Sequence, residues 1–311
     1  MNYTHSEITF PSRDGIHTVV ADIYVPIKGA VRGVVQLSHG MIDYVGRYEE
    51  LADFLTGAGF VFAGNNHLGH GKTAGEESEL GFFASSDGVE LVIKDLHTMN
   101  KYLRSAYPEV PVIMLGHSMG SFLARLYTVK YSHTVKGVII NGTAGKNPVL
   151  PFGKALVSML KLIRGEKYRS KLVAGLAFSG YNSKFPKSDG VNAWLTRDID
   201  RVASRESDPY TSYIFTLSAY GDLFRMLGEC NKASWFAAYP KEMPTLIVSG
   251  DMDPVGSYGK GPDFVYKQLL LTGCHDITFK LYEGARHELF NETNRAEYFR
   301  DILDWLEGVV K

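Results

Sequence analysis

Apolar and polar positions along the chain follow two rhythms, and the switches between them predict the architecture. Residues 34–38, 60–63, 112–115, 137–141 and 244–249 are short runs rich in branched or aromatic side chains and read as buried strands. Residues 47–55 place Tyr48, Leu51, Phe54 and Leu55 at helical spacing and end at Gly57. A longer helix carries Val89, Val92, Ile93, Leu96, Met99 and Leu103 on one face, and Asp87 with Glu90 has the form of a capping box at its start. Before all of these, residues 8–10 and 16–24 flank Arg13-Asp14-Gly15, the pattern of a hairpin. A hairpin followed by alternating strands and helices implies a largely parallel sheet with helices on both faces.

The alternation stops at about residue 143. Helical patterns without a convincing strand run to about residue 239, after which come the strand 244–249, a helix near 264–271 and a strand at 277–281. A closing helix from about Arg295 turns Tyr298, Ile302, Trp305 and Leu306 inward. The expected organisation is an α/β core in two parts, residues 1–143 and 237–311, with an inserted helical cap at 144–236 over one end of the sheet.

Composition narrows the picture mainly by exclusion. A net charge of −1 over 311 residues gives no electrostatic footprint for nucleic acid. The two cysteines, Cys230 and Cys274, have no metal or redox spacing, which points to a reduced, cytoplasmic chain. The first residues lack the basic and apolar regions of a signal peptide, and no apolar run is long enough to span a bilayer.

The candidate chemistry starts at Gly116-His117-Ser118-Met119-Gly120, between a buried strand and a helical run. Glycines there permit a sharp strand-to-helix turn with the serine at its apex and the Met119 amide aimed at whatever the serine attacks. A chance Gly-x-Ser-x-Gly is expected roughly 0.2 times in a chain of this length and glycine content, so the pentapeptide needs partners. In parallel sheets, ligands bind beyond the carboxyl ends of strands, and three other strand ends here carry suitable groups. His287 follows the strand 277–281 and can act as the base; Asp253 follows 244–249 and can orient that base; His39-Gly40-Met41 follows 34–38 and offers the Met41 amide as a second oxyanion donor. Asp251 competes with Asp253, since either could instead cap the turn. His39, His70 and His117 are expected to shape turns. His67-x-x-His70 lacks carboxylate or cysteine partners for a metal, and Gly69-His70-Gly71-Lys72-Thr73 lacks the spacing of a phosphate loop, so no metal or cofactor is implied.

On these residues the chain resembles the monoacylglycerol lipase and lysophospholipase branch of the α/β-hydrolases, often grouped with serine aminopeptidase-like enzymes. The similarity covers His39 to Tyr48 with its Gly46-Arg47-Tyr48, the Gly69-His70-Gly71 loop and the serine pentapeptide. It extends through Trp194-Leu195-Thr196-Arg197-Asp198, Asp208-Pro209, the stretch Ser249 to Gly256, and Ala285-Arg286-His287-Glu288-Leu289. It implies a triad of Ser118, Asp253 and His287, oxyanion amides at Met41 and Met119, and Gly40, Asp43, Tyr44, Arg47 and His117 beside the substrate. Two stretches depart from the family pattern. Asp43-Tyr44 stands where many members have Glu-His, and Asn66-His67-Leu68-Gly69-His70-Gly71 where many have Asp-x-Arg-Gly-His-Gly.

The expected activity is serine hydrolysis of carboxylic esters of a lipid-like substrate, a monoacylglycerol or lysophospholipid. An aminopeptidase, a thioesterase or acyltransferase, and a ligand-binding receptor on the same fold are the alternatives. Residues 151–190 carry eight Lys or Arg against Glu166 and Asp189, and Leu156, Met159, Leu160 and Ile163 fall at helical spacing among them. Such a basic segment disfavours a pocket for an α-amine, and it reads either as a lid that packs its apolar face on the core with its charges in water or as one that touches lipid surfaces. Nothing in the sequence signals an oligomeric state.

Overall fold

The computed structural model describes residues 1–311 and gathers every expected strand into one sheet. The strands are β1 (Tyr3–Pro11), β2 (Thr18–Pro26), β3 (Gly33–Ser38), β4 (Phe60–Asn65), β5 (Val112–His117), β6 (Gly137–Asn141), β7 (Thr245–Gly250) and β8 (Ile277–Tyr282). Their order across the sheet is β1-β2-β4-β3-β5-β6-β7-β8. The pairs β1/β2 and β2/β4 are antiparallel and all others parallel. From β3 through β7 each strand is buried along its whole length, whereas β1 and β8 at the edges are partly exposed. Burial on both faces explains why the central strands read as continuous apolar runs.

The faces are covered by α1 (Glu49–Gly57), α2 (Gly88–Ala106) and α3 (Met119–Tyr131), which separate the first parallel strands, and by helices from the second half of the chain. Five helices follow β6: α4 (Leu150–Arg164), α5 (Lys171–Ala177), α6 (Ile199–Ser207), α7 (Leu217–Glu229) and α8 (Ala233–Ala238). Then α9 (Lys260–Leu271) lies between β7 and β8, and α10 (Arg295–Val309) closes the chain. Alternate residues of β5 serve opposite cores. Ile113 and Leu115 join Leu51 of α1 and Ile302 of α10, while Met114 joins Leu96 of α2 and Leu123 of α3.

The beginning of α2 corrects one expectation. Asp87 adopts a left-handed backbone (φ 55°) and makes no side-chain cap, so no capping box forms. The carboxylate of Asp222 on α7 faces the Val89 amide instead. A Cβ at Gly88 would fall 2.1 Å from Asp222 Oδ2, so a side chain there would push this carboxylate aside. A helix end that looked self-capped is capped by the inserted segment.

That segment leaves and rejoins the sheet at one place. Arg125 of α3, fully buried, donates to the carbonyls of Ala144 (3.3 Å) and Cys230 and to Asn231 Oδ1 (3.2 Å), with its guanidinium 4.5 Å from the Trp235 ring centroid. Asn231 Nδ2 donates back to the carbonyls of Ala144 and Gly145, both at 3.3 Å. Helix α8 runs past residue 236 and packs on α3, so the expected boundary at 236 falls inside a helix that lies against the core.

Candidate active site

Ser118 sits at the turn between β5 and α3 with φ 54° and ψ −122°, a conformation that L-residues rarely hold. Two close approaches enforce it. A Cβ on Gly116 would lie 2.4 Å from the Gly120 carbonyl oxygen, and one on Gly120 would lie 1.9 Å from that of Ser38. The turn is therefore wedged between the end of β3 and its own helix. Backbone bonds pin it, with Ser118 N–H donating to Asn141 O (3.0 Å) and Ser121 N–H to Ser118 O (2.8 Å).

Asp253 and His287 meet from the ends of β7 and β8. His287 Nδ1 donates to Asp253 Oδ2 (2.9 Å), and both side chains are buried. The carboxylate also accepts from Ser249 Oγ (3.2 Å) and from the Val255 amide (2.8 Å), which fixes its plane. With Nδ1 committed, Nε2 is the free nitrogen of His287. The ring edge packs against Gly142, where a Cβ would lie 3.1 Å from His287 Cε1. Asp251 is engaged elsewhere, its Oδ1 accepting from the Gly284 amide (2.8 Å) and closing the turn after β8.

The loop after β3 is braced by Asp43. Its Oδ2 accepts from the Gly40 amide (3.2 Å) and from Tyr48 Oη (2.7 Å), and its Oδ1 from Arg47 Nη1 (2.8 Å). A Cβ on Gly40 would lie 3.3 Å from Ser118 Cβ, so this loop abuts the serine. The Met41 amide has no acceptor within the protein, and Met119, first residue of α3, has none in its own helix. Two free amides thus flank the serine.

Arg47 also reaches Glu288 with both nitrogens, Nη1 to Oε1 (3.0 Å) and Nη2 to Oε2 (2.8 Å). Burial would raise the Glu288 carboxyl, but the Arg47 guanidinium outweighs it and holds the group at about 2. Burial is likewise overcome at Asp43, which Arg47 and the neighbouring histidines hold well below the usual carboxylate range. A fixed ionic lattice therefore lies behind the loop that follows β3.

His117 is set by the same lattice. Tyr48 Oη gives its proton to Asp43, so its oxygen accepts from His117 Nδ1 (2.9 Å). The imidazole is held neutral by burial, and its Nε2 is a buried acceptor without a partner. Three further buried histidines have structural contacts. His39 Nδ1 donates to Gly40 O (2.9 Å) while its Nε2 accepts from the His67 amide (2.9 Å), and His70 Nδ1 donates to Leu68 O (2.9 Å). Burial pushes His39 down to about 4 and His70 to about 3. No group of histidine, cysteine, aspartate and glutamate side chains has the arrangement to hold a metal ion.

Ser118, His287, Met41 and Met119 open onto one cavity of about 810 Å³, walled mostly by hydrophobic side chains of the inserted segment such as Leu156, Leu176, Phe178, Trp194 and Leu223. Gly40, Asp43 and His117 line it too. Tyr44 and Arg47, expected beside the substrate, do not line the cavity. Tyr44 Oη donates to Asp208 (2.7 Å), and both residues border a separate polar recess of about 500 Å³ that shares only Arg205 with the cavity. Arg47 is withdrawn because Asp43, four residues earlier, and Glu288 bind its guanidinium. The first contact was legible as an i,i+4 pair; the second depends on a residue far along the chain.

The sequence pattern of the family described as serine aminopeptidase, S33, matches residues 29–294. The chain is 28% identical over 313 aligned positions to a monoacylglycerol lipase of Mycolicibacterium smegmatis, covering 97% of each protein. It is 27% identical to the human monoglyceride lipase, covering 96% of this chain and 92% of that one. Among solved structures, a highly thermostable carboxyl esterase from Bacillus coagulans, in complex with glycerol, superimposes with a TM-score of 0.92 at 30% identity over 99% of both chains.

Proposed function

The chain belongs to the serine aminopeptidase, S33, family, and from that premise we propose that it is a serine hydrolase cleaving carboxylic esters of lipid-like substrates through an acyl-enzyme. One observation carries the reading: a strained serine, a histidine bound to a buried aspartate and two free amides share an apolar cavity of about 810 Å³. Ser118 Oγ attacks the ester carbonyl as His287 Nε2 takes its proton, while Asp253 stabilises the imidazolium. The amides of Met41 and Met119 receive the oxyanion. Collapse breaks the bond to the alcohol, which leaves with the proton from His287. Water, deprotonated by the same histidine, then frees the acid and restores Ser118.

Residues 144–236 act in this reading as a cap over the two-part core, and their apolar side chains hold a single acyl chain, as in a monoacylglycerol or lysophospholipid. Beside Ser118, the unpartnered His117 Nε2 accepts a hydrogen bond from a hydroxyl of the alcohol portion, with Gly40 and Asp43 forming the wall behind it. Aminopeptidase activity is disfavoured because the cavity carboxylates, Asp43 and Glu288, both bind Arg47 and are not free to hold an α-ammonium group. The cap also suits a lipid surface, since Phe152, Met159, Leu162, Ile163, Leu172 and Leu176 are exposed near Lys171 and Arg164. Two of its basic side chains are engaged by the rest of the protein, Arg169 donating to the carbonyls of Leu80 and Ile214 and Lys167 pairing with Glu79. No helix is long and apolar enough to cross a membrane. A reducing, cytoplasmic location is supported by Cys230 and Cys274, both buried and unpaired.

Turnover of p-nitrophenyl esters with acyl chains from two to sixteen carbons tests the reading. A rate maximum at eight carbons or longer, lost in Ser118→Ala together with fluorophosphonate labelling, is the expected result. A maximum at two to four carbons would reduce it to a short-chain esterase, and undiminished turnover by Ser118→Ala would refute it.

A further inference from the structure

The catalytic base does not rest on the sheet alone. Arg286, which precedes His287, is buried and sends its guanidinium into the cap. Nη1 donates to the carbonyls of Ala193 (2.7 Å) and Thr196 (3.2 Å), and Nη2 to the Asp189 carboxylate (2.8 Å). The guanidinium carbon lies 4.3 Å from the Phe185 ring centroid. Every one of these partners belongs to residues 185–196 of the cap. The backbone is tied to the same stretch, with His287 N–H donating to Trp194 O (3.3 Å) and Glu288 N–H to Leu195 O (2.7 Å). The Trp194 indole lies 5.2 Å from the His287 imidazole, centroid to centroid. Glu292 completes the joint by accepting from the Arg286 amide and from Arg197 Nε, both at 2.7 Å.

The same stretch also faces the substrate space, because Trp194 and Leu195 line the cavity. Two residues whose carbonyls hold the base loop thus form part of the wall that a long acyl chain would touch. We propose that Arg286 is a positioning residue for His287 and couples the acyl-binding wall of the cap to the base. The inference rests on the ester-hydrolase reading. Asp253 fixes one nitrogen of the imidazole but leaves the ring free to pivot about that bond, and the cap contacts remove the pivot. An acyl chain packed on Trp194 and Leu195 steadies the stretch that carries the two carbonyls, so part of its binding energy is expressed in kcat.

Arg286→Gln, Arg286→Lys and Asp189→Asn, each compared with wild type on p-nitrophenyl acetate and octanoate, provide the test. A displacement of ~1 Å at a reacting group costs on the order of 100-fold. Arg286→Gln should lose kcat on acetate by about that factor, with KM within roughly twofold, and by only about tenfold on octanoate, whose chain restores the wall. Arg286→Lys should recover part of the loss, and fluorophosphonate labelling of Ser118 should slow with acetate turnover. Asp189→Asn, at the surface end of the network, should raise the octanoate-to-acetate ratio of kcat in a protein that folds normally. An inactive, unlabelled wild type would instead remove the hydrolase reading, and this inference with it. With an active wild type, equal losses on both esters, or a rise in KM at unchanged kcat, would overturn the inference. If Arg286→Gln fails to fold, an unaltered kcat ratio in Asp189→Asn overturns it.

Discussion

Asp251 and Asp253 are two residues apart on one turn, and their hydrogen bonds give them different work. Asp253 holds His287 Nδ1, while Asp251 closes the turn after β8 through the Gly284 amide. Asp253→Asn would offer the imidazole a neutral partner and favour the wrong tautomer, a change that costs roughly 10,000-fold in kcat when such a carboxylate is replaced. Asp251→Asn keeps an acceptor for Gly284 and should stay within about tenfold of wild type, because even complete loss of that one hydrogen bond would be worth only ~0.5–1.5 kcal/mol. Comparing kcat for the two variants on one soluble ester checks the assignment, and equal losses would reject it. At this scale strand ends were the legible signal, since Ser118, His287 and both aspartates each follow a strand, whereas the preference for Asp253 over Asp251 came with the family resemblance. The sequence did not locate the Arg47–Glu288 pair, whose members lie on segments that meet only in the folded molecule.

At the scale of elements, helix α4 shows why spacing alone misplaced a surface. Leu156, Met159, Leu160 and Ile163 share one stripe by spacing, but Leu156 and Leu160 pack toward the cavity and core while Met159 and Ile163 are exposed. Leu162, 90% exposed, lies on the outer side with Ile163. The helix therefore has two apolar sides, one toward the cavity and one outward, a division that no single face in the sequence could reveal. If the outer side docks on lipid, the double variant Leu162→Ser, Ile163→Ser should weaken co-sedimentation with anionic vesicles by on the order of tenfold or more, since burying each side chain is worth ~1.5–3 kcal/mol. Its turnover of p-nitrophenyl acetate in vesicle-free buffer should equal that of wild type. Unchanged vesicle binding would mean that the outward side chains do not meet lipid. Helix α2 makes the complementary point. Its apolar face was legible, but its capping partner comes from α7 and could not be read locally.

The whole molecule should be acid-labile in a defined way. His39, His67, His70 and His117 are all depressed below their ordinary value of 6.5 by burial. Their contribution is present above pH 6.5 and declines as pH falls, because the unfolded chain takes up protons that the folded one refuses. Asp95 and Asp222 act in the opposite sense. Burial raises both to about 6, so the folded protein binds protons there first and gains stability as pH falls from 6 toward 4. Four histidines outweigh two carboxyls, and Tm should drop between pH 7 and 5. Asp95→Asn removes one opposing group and should steepen that drop, which calorimetry across the interval would measure. A Tm that rises on acidification would contradict the account. The global fold was the most legible level, since fully buried strands cannot hide their composition. The joints between the sheet and the helices that follow β6 were the least, because Arg125, Asp222 and Arg286 each find partners that no local pattern announces.

Both ends of the helical segment between β6 and β7 emerge beside Arg125 and Asn231, which close its base like a drawstring. A segment with such a narrow neck is a natural cassette: recombination could exchange it for another while leaving the sheet and the serine turn undisturbed. The grip of Arg286 on residues 189–196 makes that exchange conditional. A transplanted cassette must arrive with carbonyls placed to receive the base loop, or the His287 loop must be transplanted with it. Diversification of substrate choice on this scaffold would then proceed in linked pairs of segments, and a chimera joining unmatched halves would fold around an idle histidine.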